Sequence, residues 1–413
     1  MSEAGGGSDR AGARHRMLPL KAFISTLGIA QIISWGSLFY SIGVLGGAMR
    51  RDLGVSELFV FGSFTAGLLV SGTFAPLAGR VIDARGGRFV LSVGSVLAAV
   101  AMAVLAAAWH PYVLVAGWLI AGAAMAACLY DPAFATLSQH TGERYRRAVT
   151  ALTLFGGFAS TVFWPLSHLL MEAYGWRATL GIYAALHLAV CLPIHLVFVP
   201  KLERAAREGP HRPELERSPA MGDPRLHWLT ACFALGTFIF GVIAVHLINL
   251  LTSAGLTAAQ AVTVSMLVGP MQVAGRIIEF GFAGRVRAVV VGYVAFALML
   301  VALAALFAVD GMGVAAIVFV VAYGCSNGVL TIVKGTTPAE LFGRQGIGGL
   351  LGHLSRAGFY AKSVAPASYS ALLTIGLTRS AALGALAGLA LFAMGSYSMA
   401  TKPRAAPKAA AAD

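Results

Sequence analysis

The chain has 413 residues, of which 58% are hydrophobic and only 11% are charged, and its mean hydropathy is +0.78. This charged fraction is less than half that of an average soluble domain, and a soluble core could not hide so much apolar surface. The formal net charge of +13 suits a nucleic-acid-binding protein, but its distribution along the chain indicates membrane topology instead.

About twelve apolar runs of roughly 20 residues follow one another, and this is the length that an α-helix needs to cross a bilayer. Backbone groups have no water to bond in lipid, so such runs become helices that pack on one another. The sequence therefore predicts an all-α polytopic membrane protein with twelve transmembrane helices. The predicted spans are residues 22–48, 57–79, 89–109, 112–137, 148–171, 178–199, 226–252, 258–283, 288–309, 312–333, 348–374 and 379–399.

A polar segment that begins at Lys201, KLERAAREGPHRPELERSPAMGDPR, separates the sixth run from the seventh. Six runs on each side of a long linker predict two related bundles that rock about a central site. The predicted organisation is a flexible tail (1–21), an N-terminal six-helix bundle (22–199), a linker (200–225), a C-terminal six-helix bundle (226–400) and a second tail (401–413).

The Lys and Arg residues between the runs lie mostly on one side of the membrane if the runs alternate in direction. The loops on the opposite side hold only Arg50, Arg51, Arg177 and Arg379. Cytoplasmic loops carry such a basic excess, so both termini are predicted to be cytoplasmic, with the protein in the cell inner membrane. Membrane topology thus explains the basic surplus, and no nucleic-acid partner is predicted.

The loop after the second run reads GRVIDARGGR and contains Gly79, Asp83, Gly86 and Arg88. Gly79 permits close helix contact, Asp83 can cap a neighbouring helix N-terminus, and Arg88 can pair with Asp83. The spacing resembles the loop signature of the major facilitator superfamily, Gly-x3-Asp-Arg-x-Gly-Arg-Arg, and the six-plus-six layout is similar to that family along the whole chain. The resemblance implies a transporter with these four residues in its gate, without catalytic residues or cofactors.

The eighth run, VGPMQVAGRIIEFGF, carries Gln272, Arg276 and Glu279 at spacings of four and three, which places them on one helical face. The run continues beyond Arg276, which therefore lies roughly 10 Å inside the helix end. Ionisable residues in a membrane helix are costly and are usually functional. Two interpretations stay open. Arg276 binds an anionic substrate through its planar guanidinium, or Arg276 and Glu279 neutralise each other as a structural pair.

A Gly-Arg pair in the eighth helix is similar to the monocarboxylate and oxalate/formate branches of the superfamily, which implies that Arg276 holds a substrate carboxylate. The first-helix lysine of the monocarboxylate porters has no counterpart here, and Tyr40 is the nearest position. His246 and Asn249 share a face of the seventh run and line the substrate path, or His246 only bonds a neighbouring helix. The predicted substrate-binding residues are Arg276, Gln272, Tyr40, His246 and Asn249.

Asp131, in the segment LYDPAF of the fourth run, is predicted either to take up a coupling proton or to pair with a loop cation such as Arg144. Pro132 frees backbone carbonyls beside it. Glu279 is the second candidate for proton coupling. Lys334, at the end of the tenth run, is expected to snorkel to the cytoplasm.

Five aromatic residues of the N-terminal half are expected near the cavity: Trp35, Phe39, Tyr40, Tyr130 and Trp164. Most are expected to be packing residues, but as a cluster they could stack on a flat ring. The segments SWGSLFYSIGV, LYDPAFATL and GPMQVAGR are also similar to a bacterial branch with riboflavin and copper importers. Copper is disfavoured because paired soft ligands at helical spacing are missing, and no metal site is predicted.

The leading hypothesis is therefore a monomeric secondary transporter of a small organic anion such as a monocarboxylate, with proton symport as one option. The alternatives are an importer of a vitamin-like aromatic solute such as riboflavin, a drug/proton efflux pump, and a transporter-like sensor. Trp118 stands where drug/proton antiporters carry a fourth-helix arginine, which disfavours efflux. The sequence has no nucleotide loop or arrangement of nucleophile and base, so an enzyme is not expected.

Overall fold

The computed structural model describes residues 20–202, 219–283 and 285–402, and within them the chain forms twelve long helical segments. The predicted tails and linker fall largely outside these described residues. The segments are α1 (Leu20–Leu53), α2 (Glu57–Arg85), α3 (Gly87–Ala106), α4 (Pro111–His140), α5 (145–174), α6 (176–198), α7 (Arg225–Thr252), α8 (Ala258–Phe282), α9 (Ala288–Phe307), α10 (Val314–Phe342), α11 (Ile347–Thr374) and α12 (Arg379–Thr401).

Helix length and hydropathy alone identify ten candidate membrane-spanning segments within the described residues. The number is ten and not twelve because α5 and α6 count as one segment, Gly142–Phe198, and α11 is too polar to be counted. The chain turns between α5 and α6 at Gly175, whose φ of 79° is in the left-handed region that glycine tolerates best. Helix α11 contains two charged residues, Arg356 and Lys362. Packing identifies α11 as a full helix of the bundle, and the predicted all-α, twelve-helix fold is confirmed.

Within each half of the chain, α1–α6 and α7–α12, short connections join successive helices, so the helices alternate in direction. We call the side that holds Leu20 and Thr401 the terminus side, and the opposite side the far side. The α2–α3 turn at Gly86 lies on the terminus side and packs against Leu202. On the far side, Arg177 pairs with Asp52 and thereby joins the end of α1 to the start of α6.

The apolar core shows how the two halves of the molecule, α1–α6 and α7–α12, meet. One cluster of buried residues, with Leu45, Met102 and Trp118 among them, belongs to α1–α6 and occupies their middle and far-side parts. The other cluster joins terminus-side residues of α1–α6, such as Phe134 and Leu152, to the whole of α7–α12. Among the buried residues that the structure describes, the halves therefore share a continuous core only on the terminus side.

Polar contacts between the halves have the same distribution as the shared core. Among the described residues, every hydrogen bond or ion pair between α1–α6 and α7–α12 lies on the terminus side or in the middle of the helices. These contacts join Thr73 to Tyr360, Asp83 to Gly348 and Gly349, Asp131 to Lys334, Tyr145 to Gly335, Arg146 to Glu279 and Val286, Arg147 to Ala283, Thr150 to Glu279, and Thr153 to Arg276. The structure is closed on the terminus side.

Two irregularities in the middle of the N-terminal half shape the region between the halves. α1 contains a π-helical turn at Gly36–Tyr40, and wide turns of this kind are frequent at functional sites. α4 breaks at Leu129, where ψ is −159°. Pro132 cannot bond to the Cys128 carbonyl one turn earlier, and the Gln31 amide donates to that carbonyl at 2.7 Å instead. The predicted effect of this proline is confirmed.

Candidate substrate site and gate

Asp83 closes the contact between α2 and α11 on the terminus side. Its Oδ1 accepts a hydrogen bond from the Gly348 amide at 2.9 Å and its Oδ2 one from the Gly349 amide at 2.7 Å. These amides lie in the first turn of α11, where free N–H groups and the helix dipole favour a negative charge. A side chain at Gly79 would overlap the Gly348 carbonyl, so this glycine allows the close approach that the capping needs.

The predicted pairing of Arg88 with Asp83 is wrong. Arg88 Nε donates to the Val199 carbonyl at 2.7 Å, which fastens the start of α3 to the end of α6 inside the N-terminal half. The Asp83 carboxylate points to the other half, and the two α11 amides already occupy its oxygens. Gly86, with a φ of 86°, makes the turn between these two residues.

Glu279 is bonded to the N-terminal half rather than to Arg276. Its Oε1 accepts from Arg146 Nε at 2.8 Å and from Arg146 Nη2 at 2.6 Å, while its Oε2 accepts from the Thr150 hydroxyl at 2.6 Å. Arg146 also donates to the Val286 carbonyl. The interpretation that Arg276 and Glu279 neutralise each other is therefore wrong, because each of them has partners on other helices.

Asp131 forms the third charged contact between the halves. Lys334 Nζ lies 3.0 Å from Asp131 Oδ1 and donates to the Ser355 hydroxyl at 2.9 Å. The expectations that Lys334 snorkels to the cytoplasm and that Asp131 pairs with a loop cation such as Arg144 are both wrong. Helix α10 carries Lys334 against the N-terminal half, where a carboxylate stabilises its charge better than the membrane interface would.

Arg276 is buried, with 4% of its surface exposed, and lies six residues before the end of α8 at Phe282, roughly 9 Å along the helix. Its Nη1 donates to the Thr153 carbonyl at 2.9 Å and its Nε to the Gly328 carbonyl at 3.3 Å. A guanidinium has five N–H donors, so three remain. Among the described residues, no carboxylate forms an ion pair with Arg276.

Two tyrosines surround the guanidinium of Arg276. Their rings both contact Trp35, at centroid distances of 6.3 Å for Tyr40 and 5.0 Å for Tyr130. Tyr130 also donates a long hydrogen bond of 3.5 Å to the Thr153 carbonyl, which already binds Arg276. The glycine at position 157 leaves the space that the guanidinium fills, since any side chain there would collide with it. The structure thus brings together Arg276 and Tyr40, two of the residues that the sequence predicts to bind substrate.

Lys362 is a second cation without a carboxylate partner in the part of the chain that the structure describes. Its half-buried ammonium lies 3.9 Å from the centroid of the Phe39 ring, a cation–π contact. The sequence analysis did not include Lys362 among the site residues. The available signal was a lysine without a nearby acidic residue inside a membrane helix.

The predicted aromatic cluster exists and is continuous. Trp35 contacts Phe39, Tyr40 and Tyr130 at centroid distances of 5.3, 6.3 and 5.0 Å, and Tyr40 contacts Trp164 at 6.2 Å. We call these five residues the aromatic wall. Trp164 is 54% exposed, so the wall keeps a free surface. Lys362 reaches the wall at Phe39, and Arg276 reaches it at Tyr130, with which it shares the Thr153 carbonyl.

The other predicted substrate residues have different surroundings. His246 Nε2 lies 3.1 Å from the Pro366 carbonyl, and its ring packs against Tyr369 at 4.8 Å, so it bonds α7 to α11. Asn249 is exposed near the far-side end of α7. Gln272 lies one turn before Arg276, is half-buried, and its amide forms no hydrogen bond within the described residues.

Comparison with known proteins agrees with this architecture. The sequence profile of the Major Facilitator Superfamily matches residues 27–366. Over 321 residues, which are 69% of this chain and 70% of the relative, the sequence is 29% identical to monocarboxylate transporter 13 of Rattus norvegicus. The resemblance to this superfamily and to its monocarboxylate branch, inferred from the loop signature and the Gly-Arg pair, is confirmed.

Two solved structures illustrate the likeness of fold. The human organic anion transporter MFSD10 (TETRAN) has a TM-score of 0.71 at 16% identity, over 92% of this chain and 100% of that one. FucP, a major facilitator superfamily transporter in the outward conformation, has a TM-score of 0.71 at 14% identity, over 92% and 99% of the two chains. At such low identity, these likenesses establish the fold and no more.

Proposed function

The chain belongs to the major facilitator superfamily of transporters, and within that family we propose that it is a secondary transporter of a small organic anion that carries a carboxylate. The substrate moves by alternating access, in which the two halves rock about the site between them. The name of the rat relative, monocarboxylate transporter 13, supports this chemistry.

One observation carries the proposal. Arg276 and Lys362 are two cations in the middle of a membrane protein, and neither pairs with a carboxylate among the described residues. A charge inside a membrane protein needs a partner, and a substrate carboxylate can supply it. Arg276 has three N–H donors left to bind a substrate carboxylate, and Lys362 has its whole ammonium group. Tyr40 and Gln272 lie beside Arg276.

Three carboxylates make contacts between the halves that support a gate on the terminus side. These contacts are Asp83 with the start of α11, Glu279 with Arg146, and Asp131 with Lys334; we call them the gate contacts. Substrate reaches the site from the far side in the closed state described. Neutralising the site cations with substrate lets the halves rock, and the gate contacts then separate to release substrate on the terminus side.

Glu279 and Asp131 connect this gate to proton coupling. Each carboxylate pairs with a cation of the other half while the terminus side is closed. When the halves separate they lose those partners, and a carboxylate without a partner cation takes up a proton more readily. A proton bound there has to leave before the ion pairs form again, which couples its movement to the transport cycle.

The basic residues support a cytoplasmic terminus side. In the inner membrane, the far side with Arg50, Arg51, Arg177 and Arg379 would then face outward. A reporter fused to the C-terminus that is active only in the cytoplasm should be active. Activity of a reporter that works only outside the cytoplasm would contradict this topology.

Transport by purified protein in proteoliposomes tests the proposal, with a panel of radiolabelled lactate, pyruvate and benzoate. Arg276→Lys keeps the charge but loses the planar fork, and we expect roughly ten- to hundredfold less uptake, the range for a lost charge-assisted hydrogen bond. Lys362→Gln should lose a comparable amount. Lys402→Gln, at the end of α12, is the matched control and should transport normally.

Correct insertion is checked by equal yield and equal size-exclusion profiles of the three variants. Normal carboxylate uptake by both Arg276→Lys and Lys362→Gln would contradict the anion site. Uptake of uncharged solutes in preference to carboxylates would favour the alternative of a neutral aromatic solute, which the aromatic wall also suits.

A further inference from the structure

We infer that the anion carried by this transporter is an aromatic carboxylate, a planar ring that bears a single carboxylate group. The inference rests on the proposed function and narrows its substrate class. It combines two features that face each other across the site, which are the pair of cations from the C-terminal half and the aromatic wall of the N-terminal half.

The wall has ring surface available for a ligand. Trp164 is 54% exposed whereas its neighbour Tyr40 is half-buried, and both contribute to the continuous array that reaches Trp35. A ring bound between them gains edge-to-face or offset contacts, which aromatic pairs prefer. An aliphatic acid of the same size would gain burial of its apolar surface but not those contacts.

The two cations lie next to the aromatic wall, where a substrate that has both a carboxylate and an aromatic ring would need them. Lys362 covers the face of Phe39 at 3.9 Å. Arg276 binds the same Thr153 carbonyl as Tyr130, whose ring is joined through Trp35 to Tyr40, the residue after Phe39. The π-helical turn of α1 contains both Phe39 and Tyr40. A ligand that reaches both cations therefore extends its remaining atoms over rings rather than over backbone or aliphatic side chains.

Lys362 explains how the site can stay stable without substrate and still favour an aromatic ring. In the structure, the electron-rich face of Phe39 partly compensates the ammonium charge in place of a carboxylate. A bound carboxylate is a stronger partner for that ammonium and draws it away from the ring. The face of Phe39 that Lys362 covers then becomes available to the ring of the same substrate, so charge and ring are recognised together.

Isothermal titration calorimetry on the detergent-purified full chain tests this inference with three probes. Benzoate has the ring and the charge, cyclohexanecarboxylate has the charge with a saturated ring of similar size, and benzamide has the ring without the charge. We expect benzoate to bind about three- to tenfold more tightly than cyclohexanecarboxylate, the range that ring-to-ring contacts give. Benzamide should bind more weakly than either.

Variants locate the preference. Trp164→Leu should reduce the ratio of benzoate to cyclohexanecarboxylate affinity towards one. Phe39→Leu should have the same effect, and it replaces Trp164→Leu in the test if that variant does not fold. Trp109→Leu is the matched control because Trp109 is 77% exposed in the α3–α4 turn, away from the site. It should keep the wild-type ratio.

The remaining outcomes separate the two proposals. If the wild-type protein binds the two acids with equal affinity and Arg276→Gln binds neither acid, the aromatic substrate class is overturned. The proposal of an organic-anion transporter would stand. Binding of benzamide as tightly as benzoate would overturn both. Binding of neither acid would overturn the aromatic substrate class, and uptake of lactate or pyruvate would then decide the organic-anion transporter. A preference for benzoate that survives in both Trp164→Leu and Phe39→Leu would show that the aromatic wall does not select the ring.

Discussion

Replacing Glu279 with glutamine is expected to open the terminus side of the transporter. The Glu279 side chain is 2% exposed and that of its partner Arg146 is 15% exposed, so the ion pair is nearly excluded from solvent. The carboxylate accepts three hydrogen bonds, two from Arg146 and one from Thr150. Glutamine has the same shape but no charge, and it leaves the Arg146 guanidinium without a counter-ion.

The magnitude follows from the burial of the pair. Removing one partner of a buried ion pair costs about 3–5 kcal/mol, and the amide oxygen of glutamine can still accept one bond, so we use about 3 kcal/mol. The penalty applies to the closed state, where Arg146 and Glu279 meet. At about 1.4 kcal/mol per factor of ten, the equilibrium shifts roughly 100-fold towards the state open on the terminus side.

Distance measurements between spin labels can detect this shift. Labels at Glu143 and Arg344, exposed positions on the terminus side in different halves, should show a longer distance population in Glu279→Gln. Glu172→Gln is the matched control, because it neutralises an exposed carboxylate that pairs with His168 on the far side. It should leave the distance distribution unchanged.

A double-mutant cycle then tests the ion pair itself. The Arg146→Gln and Glu279→Gln double variant removes both charges, so it should shift the equilibrium less than the sum of the single variants. Strictly additive shifts, or an unchanged distance in Glu279→Gln, would refute the conclusion that this pair holds the gate closed.

Three further predictions concern the gate and the site. Asp83→Asn should favour the open state by the same label distances while carboxylate affinity in calorimetry stays near the wild-type value, because Asp83 bonds only the start of α11; equal losses of affinity and turnover would contradict the gating role. Gly157→Val should displace Arg276 and abolish carboxylate binding, whereas Gly43→Val, where a side chain meets no neighbour, should bind normally. Asp131→Asn should uncouple uptake from an imposed proton gradient while exchange of substrate across the membrane continues, and gradient-driven accumulation at the wild-type level would count against Asp131 as a proton carrier.

Several features followed from the sequence because they depend on local properties. Run length predicted the transmembrane helices, since a helix of about 20 apolar residues spans a bilayer by itself. The spacing of Asp83 from Gly79 predicted a capping role that the contact with α11 bears out. The position of Arg276, several apolar residues before the helix end, predicted its burial. Each of these depends on one helix and its immediate surroundings.

The partners of the charged residues depended on the tertiary structure. Glu279 lies three residues from Arg276 on α8, yet it bonds Arg146 on α5, while Arg276 bonds Thr153 and Gly328. Helical spacing fixes which residues share a face, but it contains no information about the helix that packs against that face. The nearest opposite charge in sequence was therefore a poor guide to the ion pair.

Lys362 and Lys334 illustrate the same limit. Both are lysines within a helix of the C-terminal half, and the sequence does not distinguish their roles. Lys334 on α10 reaches a carboxylate of α4, whereas Lys362 on α11 reaches the face of Phe39 on α1. An ion is compensated by whatever lies within a few ångströms of it, and in a bundle of long helices those neighbours come from distant parts of the chain.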